Sequence, residues 1–115
     1  MAVLRYREKD QLERLLRMSG GFVLDFRDRT LGEFFRDFGA DIHSEEYARA
    51  SGSKANRLRA FWDLASTDLL AAVLEDLISI AEESGAESEV ANRCRPIVAR
   101  LRSGTGTSRA PEGTG

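Results

Sequence analysis

The hydrophobic residues near the start of the chain recur with the spacing of an α-helix. Between Glu8 and Met18, leucines lie three and four residues apart, and charged residues fill most of the other positions. This pattern predicts a first helix with one apolar face. We expect Ser19-Gly20-Gly21 to end it, because glycine readily adopts the left-handed conformation found at helix C-termini.

The next two elements are predicted from alternation and from a capping motif. Apolar side chains alternate over Phe22 to Phe26, which predicts a short extended segment with one buried face. No partner strand follows, so a sheet is not expected. Thr30 and Glu33 match a capping box, with Asp28 as a competing cap. The second helix is expected to run to about Phe38 and to stop at the glycine after it.

A loop and two helices are predicted for the middle of the chain. Residues 41–53 lack a regular hydrophobic period, which indicates a loop with about one helical turn. Ser53 can cap a helix from Lys54 to Leu64. A serine or threonine at positions 66–67 can cap a longer and more apolar helix from about Asp68 to Ser84.

The last helix is predicted from about Glu87 to Arg102, with Pro96 inside it. Either this helix kinks at Pro96 or it begins near Pro96, because proline is tolerated only in the first turn. Residues 103–115 contain no large apolar residue and are predicted to form a disordered tail or a linker. The sequence therefore predicts one all-α domain over residues 1–102, an irregular bundle of four to five helices with one short extended segment.

The composition limits the class of protein and the cellular compartment that we expect for this domain. The 115 residues are 42% hydrophobic and 31% charged with a net charge of −2, which is an ordinary globular balance. A single cysteine excludes an intramolecular disulfide, and the longest apolar run is too short to span a membrane. We therefore expect a cytoplasmic protein with no membrane segment. One histidine and one cysteine do not supply a zinc site, so no metal and no cofactor are expected.

The charges lie in blocks along the chain. Residues 47–62 carry four cations and no acid, residues 63–90 carry eight acids and no cation, and residues 91–102 carry four cations and no acid. The near-neutral total therefore hides one acidic helix between two basic ones.

The candidate binding residues are the three cations at the start of the third predicted helix: Lys54, Arg57 and Arg59. A helix N-terminus with cations beside it favours phosphate or an acidic partner. The competing interpretation is that these cations pair with the acidic helix that follows. It is favoured because Arg59 projects away from the other two. Strong salt-dependent binding to nucleic acid also takes roughly six or more phosphate contacts.

Other candidate chemistry is weaker. The aromatic residues are interpreted as core rather than as a base-stacking surface, because most of them lie on helical stripes: Phe22, Phe26, Phe34, Phe35, Phe38, Phe61 and Trp62. Leu24 and Leu58 are also assigned to the core. His43 belongs to no recognisable catalytic motif. Cys94 is expected to face the core, although Arg93 and Arg95 could lower its thiol pKa. The carboxylates over residues 25–41 are spaced as caps and surface residues, which disfavours a two-metal nuclease. No catalytic residue is predicted.

Three strings in the chain resemble a known domain. They are S-G-G-F-V-L-D-F-R-D-R-T-L-G-E-F-F from Ser19 to Phe35, D-I at Asp41-Ile42, and G-S-K-A-N-R-L-R-A-F-W from Gly52 to Trp62. The pattern is similar to that of a small helical domain at the N-terminus of bacterial abortive-infection-type proteins. His43 departs from it, because a tyrosine follows Asp-Ile in the family pattern.

The resemblance implies an accessory domain of a bacterial phage-defence system, joined in fuller proteins to other modules. We therefore predict a non-catalytic interaction or regulatory domain whose partner is a protein or a neighbouring module. The region of Lys54, Arg57 and Arg59 would be its binding face, and the acidic helix would meet a basic partner or a second copy of the chain. The alternative is a small nucleic-acid-binding domain that uses Lys54, Arg57 and Arg59. The arginines of the last helix would contribute if that helix lies alongside: Arg93, Arg95, Arg100 and Arg102.

Overall fold

Five α-helices and two single-turn 3₁₀ helices build the molecule in a computed structural model, which describes residues 4–48 and 52–105. No strand occurs in those ranges, and the predicted all-α class is confirmed. The 3₁₀ turns are Ser19–Gly21 and Glu45–Tyr47. The α-helices are α1 (Tyr6–Leu15), α2 (Asp28–Arg36), α3 (Lys54–Leu64), α4 (Thr67–Glu83) and α5 (Ser88–Thr105).

All five helices contribute to one hydrophobic core. The two longest helices, α4 and α5, pack against each other, α1 packs on α5, and α3 packs on both 3₁₀ turns. Each helix buries apolar side chains, and the described residues include no fully buried polar or charged one. Burial of this apolar surface is the main favourable term in folding. One buried residue from each helix in chain order is Leu12, Phe35, Phe61, Leu74 and Ile97.

The residues predicted as core divide into three groups. The largest group is buried: Leu24, Phe35, Leu58, Phe61 and Trp62. Phe26, Phe34 and Phe38 are only partly buried and pack against the core, and the ring centroids of Phe26 and Phe34 lie 5.5 Å apart. Phe22 is exposed, so its assignment to the core was wrong. Helical periodicity identified the inward stripe of α3 correctly, whereas α2 places Phe34 at the edge of its apolar face.

The end of α1 differs from the prediction. The helix ends at Leu15, and Arg17 takes the left-handed conformation, with φ of 53°, that was expected of a later glycine. The Arg17 N–H donates to the Arg14 carbonyl and the Met18 N–H to the Glu13 carbonyl. These two bonds form a Schellman motif, which satisfies carbonyls at the helix end without glycine.

The segment from Phe22 to Phe26 is a turn, and the prediction of an extended segment was wrong. Leu24 has a left-handed φ of 50°, its N–H donates to the Leu16 carbonyl at 2.7 Å, and the Phe26 N–H donates to the Val23 carbonyl. This geometry buries two consecutive side chains, Val23 and Leu24, while Phe22 is 56% exposed. Alternation of apolar residues predicts a strand, and it carries no information about a turn that is stabilised by a hydrogen bond to Leu16 at the end of α1.

The cap of α2 lies three residues earlier than predicted. The Arg27 N–H donates to the Thr30 hydroxyl oxygen at 2.9 Å, so Thr30 occupies the third helical position and the helix begins at Asp28. The Thr30–Glu33 capping box was therefore wrong. At the other end the helix stops at Arg36, two residues before the predicted Phe38.

The caps of α3 and α4 confirm the predictions from serine. The Ser53 hydroxyl accepts from the Asn56 N–H at 3.2 Å, and the Ser66 hydroxyl accepts from the Leu69 N–H at 3.2 Å. The one helical turn expected in the loop before α3 is the 3₁₀ turn Glu45–Tyr47. Residues 49–51 of that loop lie outside the described residues.

The last helix runs without a break from Ser88 to Thr105, with Pro96 inside it. The alternative that it begins near Pro96 was therefore wrong. The helix extends into the first three residues of the stretch predicted as a tail, and residues 106–115 lie outside the described part of the chain. Over residues 4–48 and 52–105, no helix has the length and apolarity needed to cross a bilayer.

Candidate functional site

The three candidate cations all lie in the first two turns of α3, and each contacts a different part of the molecule. Ser53 begins this helix through its hydroxyl cap, which fixes the directions in which Lys54, Arg57 and Arg59 leave it. All three side chains are partly buried. Their partners lie on α1, at the start of α2, in the loop before α3 and on α3 itself. The interpretation that these cations pair with the acidic helix α4 was therefore wrong.

Arg57 binds backbone carbonyls. Its Nε donates to the carbonyl oxygen of Gly52 at 3.1 Å, and its Nη1 donates to those of Ile42 at 3.0 Å and Ser44 at 3.3 Å. Hydrogen bonds from a charged donor are stronger than neutral ones. Arg57 therefore joins the loop before α3 to the first turn of α3.

Arg59 binds the first helix. Its Nε and Nη2 donate to the two carboxylate oxygens of Glu13 at 3.1 Å and 3.0 Å, and its Nη1 donates to the Asn56 side-chain oxygen at 2.8 Å. This fork geometry is the bidentate pairing that guanidinium groups form with carboxylates. The pair joins α3 to α1 across 46 positions of sequence.

Lys54 contacts the turn that precedes α2 and the beginning of α2. Its ammonium lies 3.9 Å from an Asp28 carboxylate oxygen and 5.4 Å from the centroid of the Phe22 ring. The Lys54 side chain is only 18% exposed. The lysine stem therefore covers part of the exposed Phe22, and the ammonium is placed for a cation–π contact.

His43 lies against the start of α2. Its Nε2–H donates to the Asp28 carbonyl oxygen at 2.6 Å. The ring can lie this close because residue 32 is glycine: a Cβ there would meet the His43 ring carbon Cδ2 at 3.1 Å. His43 thus has a structural contact that no local motif indicated, and Gly32 is a residue that sequence reasoning missed.

The strings that carry the family resemblance meet in space. Arg57 from the third string holds the Ile42 carbonyl of the second, and Lys54 contacts Phe22 and Asp28 of the first. Gly21 also approaches α3 closely, since a Cβ there would lie 3.1 Å from the Ser53 Cβ. The three strings therefore form one packed unit, and their polar residues hold it together.

Helix α5 packs mainly on α4 and α1, and its arginines pair with carboxylates of those helices or of α5 itself. Arg95 pairs with Glu82, and Arg102 pairs with Glu75 at 2.7 Å, both on α4. Each of the four α5 arginines has a carboxylate partner; the other two are Glu89 for Arg93 and Glu8 for Arg100.

The Arg100–Glu8 pair joins the last helix to the first. Arg100 donates to both Glu8 carboxylate oxygens at 2.6 Å and 2.5 Å, and the Arg5 N–H donates to one of them at 2.8 Å. Burial alone raises the pKa of Glu8, but the hydrogen bonds from Arg100 and the Arg5 N–H, with the two guanidinium charges, bring it below its ordinary value. The Glu8 bond in turn raises the pKa of Arg100.

Cys94 faces the core of the bundle, as predicted, and is fully buried. Burial raises the pKa of its thiol to about 11. The neighbouring arginines do not lower it, because Arg93 and Arg95 are exposed and paired with glutamates. The thiol is therefore protonated near neutral pH, where it is a poor nucleophile.

The exposed face of α4 carries carboxylates without partners. Asp68, Asp76 and Glu83 are exposed and form no ion pair within the described part of the chain. Helical geometry places them within about 80° of one another around the axis, opposite the buried stripe, and spreads them over about 22 Å. This line of three residues is called the α4 acidic stripe below.

The carboxylates do not form a metal-binding group. Within residues 4–48 and 52–105, no three histidine, cysteine, aspartate or glutamate residues are placed to hold one ion.

Comparison with protein-family models, with curated proteins and with solved structures finds no match to this chain. The membership of an abortive-infection family thus stays a prediction from the three strings.

Proposed function

We propose that this chain is a non-catalytic interaction domain of a bacterial abortive-infection system, and that it binds a basic segment of a protein partner or neighbouring module along the α4 acidic stripe. The observation that carries the proposal is the contrast between two sets of charges. Lys54, Arg57 and Arg59 are engaged in contacts inside the fold. The stripe carboxylates are exposed and unpaired.

A basic partner fits this face for an electrostatic reason. Three carboxylates spaced along one helix face can each pair with a cation of an extended basic segment, and such charge complementarity favours its association. The paired glutamates on the flank of α4, Glu75 and Glu82, are held by arginines of α5, so the stripe holds the free carboxylates of that helix. A second copy of the chain presenting a basic surface is the other occupant consistent with this chemistry.

A plaque assay tests the proposal. The chain is expressed with its neighbouring genes in a bacterial host, and phage plating is compared for the native chain and for D68K/D76K/E83K. We expect protection from the native chain and loss of protection in the variant, because the stripe then repels a basic partner.

A matched control separates this effect from net charge. D37K/E46K/E87K reverses three acids that are exposed on other parts of the surface and changes the net charge equally. It should protect like the native chain, and both variants should keep the native melting temperature within a few degrees. Absence of protection by the native chain, or protection by the stripe variant, would contradict the proposal.

The nucleic-acid alternative is less well supported by the contacts. Its cations on α3 hold carbonyl and carboxylate partners, and releasing them from those partners has a free-energy cost. Salt-dependent binding of RNA or DNA by the native chain, lost in K54E/R57E without unfolding, would favour it. Unfolding of that variant would instead assign the two cations to the fold.

A further inference from the structure

The structure contains a positively lined cleft between α1 and α5. Its volume is about 370 Å³, which lies within the range of small-molecule sites. The first helix contributes Arg7, Glu8 and Gln11 to its walls. The other wall comes from α5: Arg93, Pro96, Ile97 and Arg100.

The charge of this cleft is opposite to that of the whole molecule. Three arginines and one glutamate give its walls a charge of +2, whereas the whole chain carries −2. Glu8 does not repel an anion strongly, because Arg100 binds both of its oxygens. A concave surface with low-dielectric walls strengthens such a local field.

Two of the three guanidinium groups are available to a ligand. Arg7 is exposed and forms no ion pair within the described ranges. Arg93 pairs only with Glu89, four positions earlier on the same helix, and both side chains are more than half exposed. Pairs of this kind contribute little to stability, so Arg93 can turn to a ligand at small cost.

Gln11 adds a polar group that lacks a partner. Its Oε1 atom is shielded from solvent and accepts no hydrogen bond. Rotation about the last side-chain torsion can turn either end of the amide to the cleft, since that torsion is broad. The Gln11 amide NH2 can then donate to an anion, and its oxygen can accept from a hydroxyl group on the body of the ligand.

We propose that the α1–α5 cleft binds a phosphate monoester, with Arg7 and Arg93 as the contacts to the phosphate. Two guanidinium groups match the charge and the fork geometry of a dianionic phosphate better than that of a single carboxylate. Pro96 and Ile97 supply an apolar wall for the body of the ligand, and the volume exceeds that of one phosphate group. The ligand is therefore a small organic phosphate or the terminal phosphate of an oligonucleotide.

An NMR titration tests the cleft. Backbone and side-chain amide spectra are recorded with inorganic phosphate, a nucleoside 5′-monophosphate, and an oligonucleotide with or without a 5′-phosphate. We expect saturable shifts centred on the Gln11 side chain and on Ile97. Tighter binding of the mononucleotide assigns the site to a small molecule, and binding of the 5′-phosphorylated oligonucleotide alone assigns it to a nucleic-acid end.

Two variants with equal charge make the result decisive. R7Q/R93Q should weaken binding at least tenfold. R14Q/R29Q removes two exposed arginines whose partners, Asp10 and Glu33, lie outside the cleft, and its affinity should stay within twofold of the native value. No saturable shift at the cleft, or equal weakening in both variants, overturns the proposal. The α4 stripe variant leaves this titration unchanged, so the two proposals fail independently.

Discussion

At the residue scale, Arg57 shows how a charge in the sequence becomes a cross-link in the fold. The sequence places it in a cationic cluster, but its guanidinium lies among three carbonyl oxygens, two of them from the loop more than ten positions earlier. The cap of α3 was predictable, because the Ser53 hydroxyl and the Asn56 N–H that donates to it lie three positions apart, within one helical turn. The carbonyl partners of Arg57 were not, because they depend on where the loop folds.

Arg57→Lys is expected to destabilise the protein by about 2–4 kcal/mol, although it keeps the charge. A single ammonium cannot replace a planar fork that reaches carbonyls in different directions. The measurement is urea unfolding followed by the fluorescence of the buried Trp62. Arg29→Lys is the control, since Arg29 only pairs with Glu33 on an exposed helix face, and should change stability by less than about 0.5 kcal/mol. Equal stability of the Arg57 variant and the native protein would show that the carbonyl contacts contribute little.

At the scale of elements, the helices with local caps and clear stripes were predicted best. The start and end of α3 match the prediction, and α4 differs by one residue at each end. The end of α1 was misplaced because Arg17 rather than a glycine takes the left-handed conformation, and the start of α2 was misplaced because its cap lies at Arg27. Gly39, with φ of 78°, follows the end of α2 as predicted. In α5, Pro96 lies in the helix interior, where its backbone nitrogen has no hydrogen to donate to the preceding turn.

Pro96→Ala is expected to raise stability by about 1–3 kcal/mol, because alanine restores the hydrogen bond to the preceding turn and has the best helix propensity. Pro96 is exposed, so no core packing is lost. Chemical unfolding measures the change. Ser79→Ala on the exposed face of α4 gives the effect of propensity alone, about 0.5 kcal/mol. A destabilised Pro96 variant would mean that the helix depends on the bend that proline imposes.

At the scale of the whole molecule, the first and last helices close the bundle. The Glu8–Arg100 pair spans 92 positions, and the Glu8 side chain is only 14% exposed. This pair stabilises the folded protein most when the Glu8 carboxyl group is ionised. Since the pKa of Glu8 is lower in the folded protein than its ordinary 4.5, the unfolded chain takes up the proton first as the pH falls.

The pH dependence of stability is therefore expected to differ between the native protein and Glu8→Gln. At pH 7 the native protein should be more stable by about 1–3 kcal/mol. The advantage is fully present above the ordinary pKa and is lost as the pH falls through the lower, folded pKa, so the two curves should converge toward low pH. Unfolding experiments from pH 3 to pH 7 measure this. Glu89→Gln alters the exposed Glu89–Arg93 pair. The free energy of unfolding of this variant, plotted against pH, should run parallel to that of the native protein. Parallel curves for Glu8→Gln would exclude the pair as a source of pH dependence.

The sequence by itself determined the all-α class, the serine caps of α3 and α4, and the apolar stripe that buries Leu58, Phe61 and Trp62. These depend on interactions within about four residues, which periodicity and capping patterns describe. Only the tertiary structure decided the partners of the cations, the turn that exposes Phe22, and the opposite charges of the α4 acidic stripe and the α1–α5 cleft. The physical reason is that a charge is neutralised or left free by groups that folding brings close, often from distant positions in the chain.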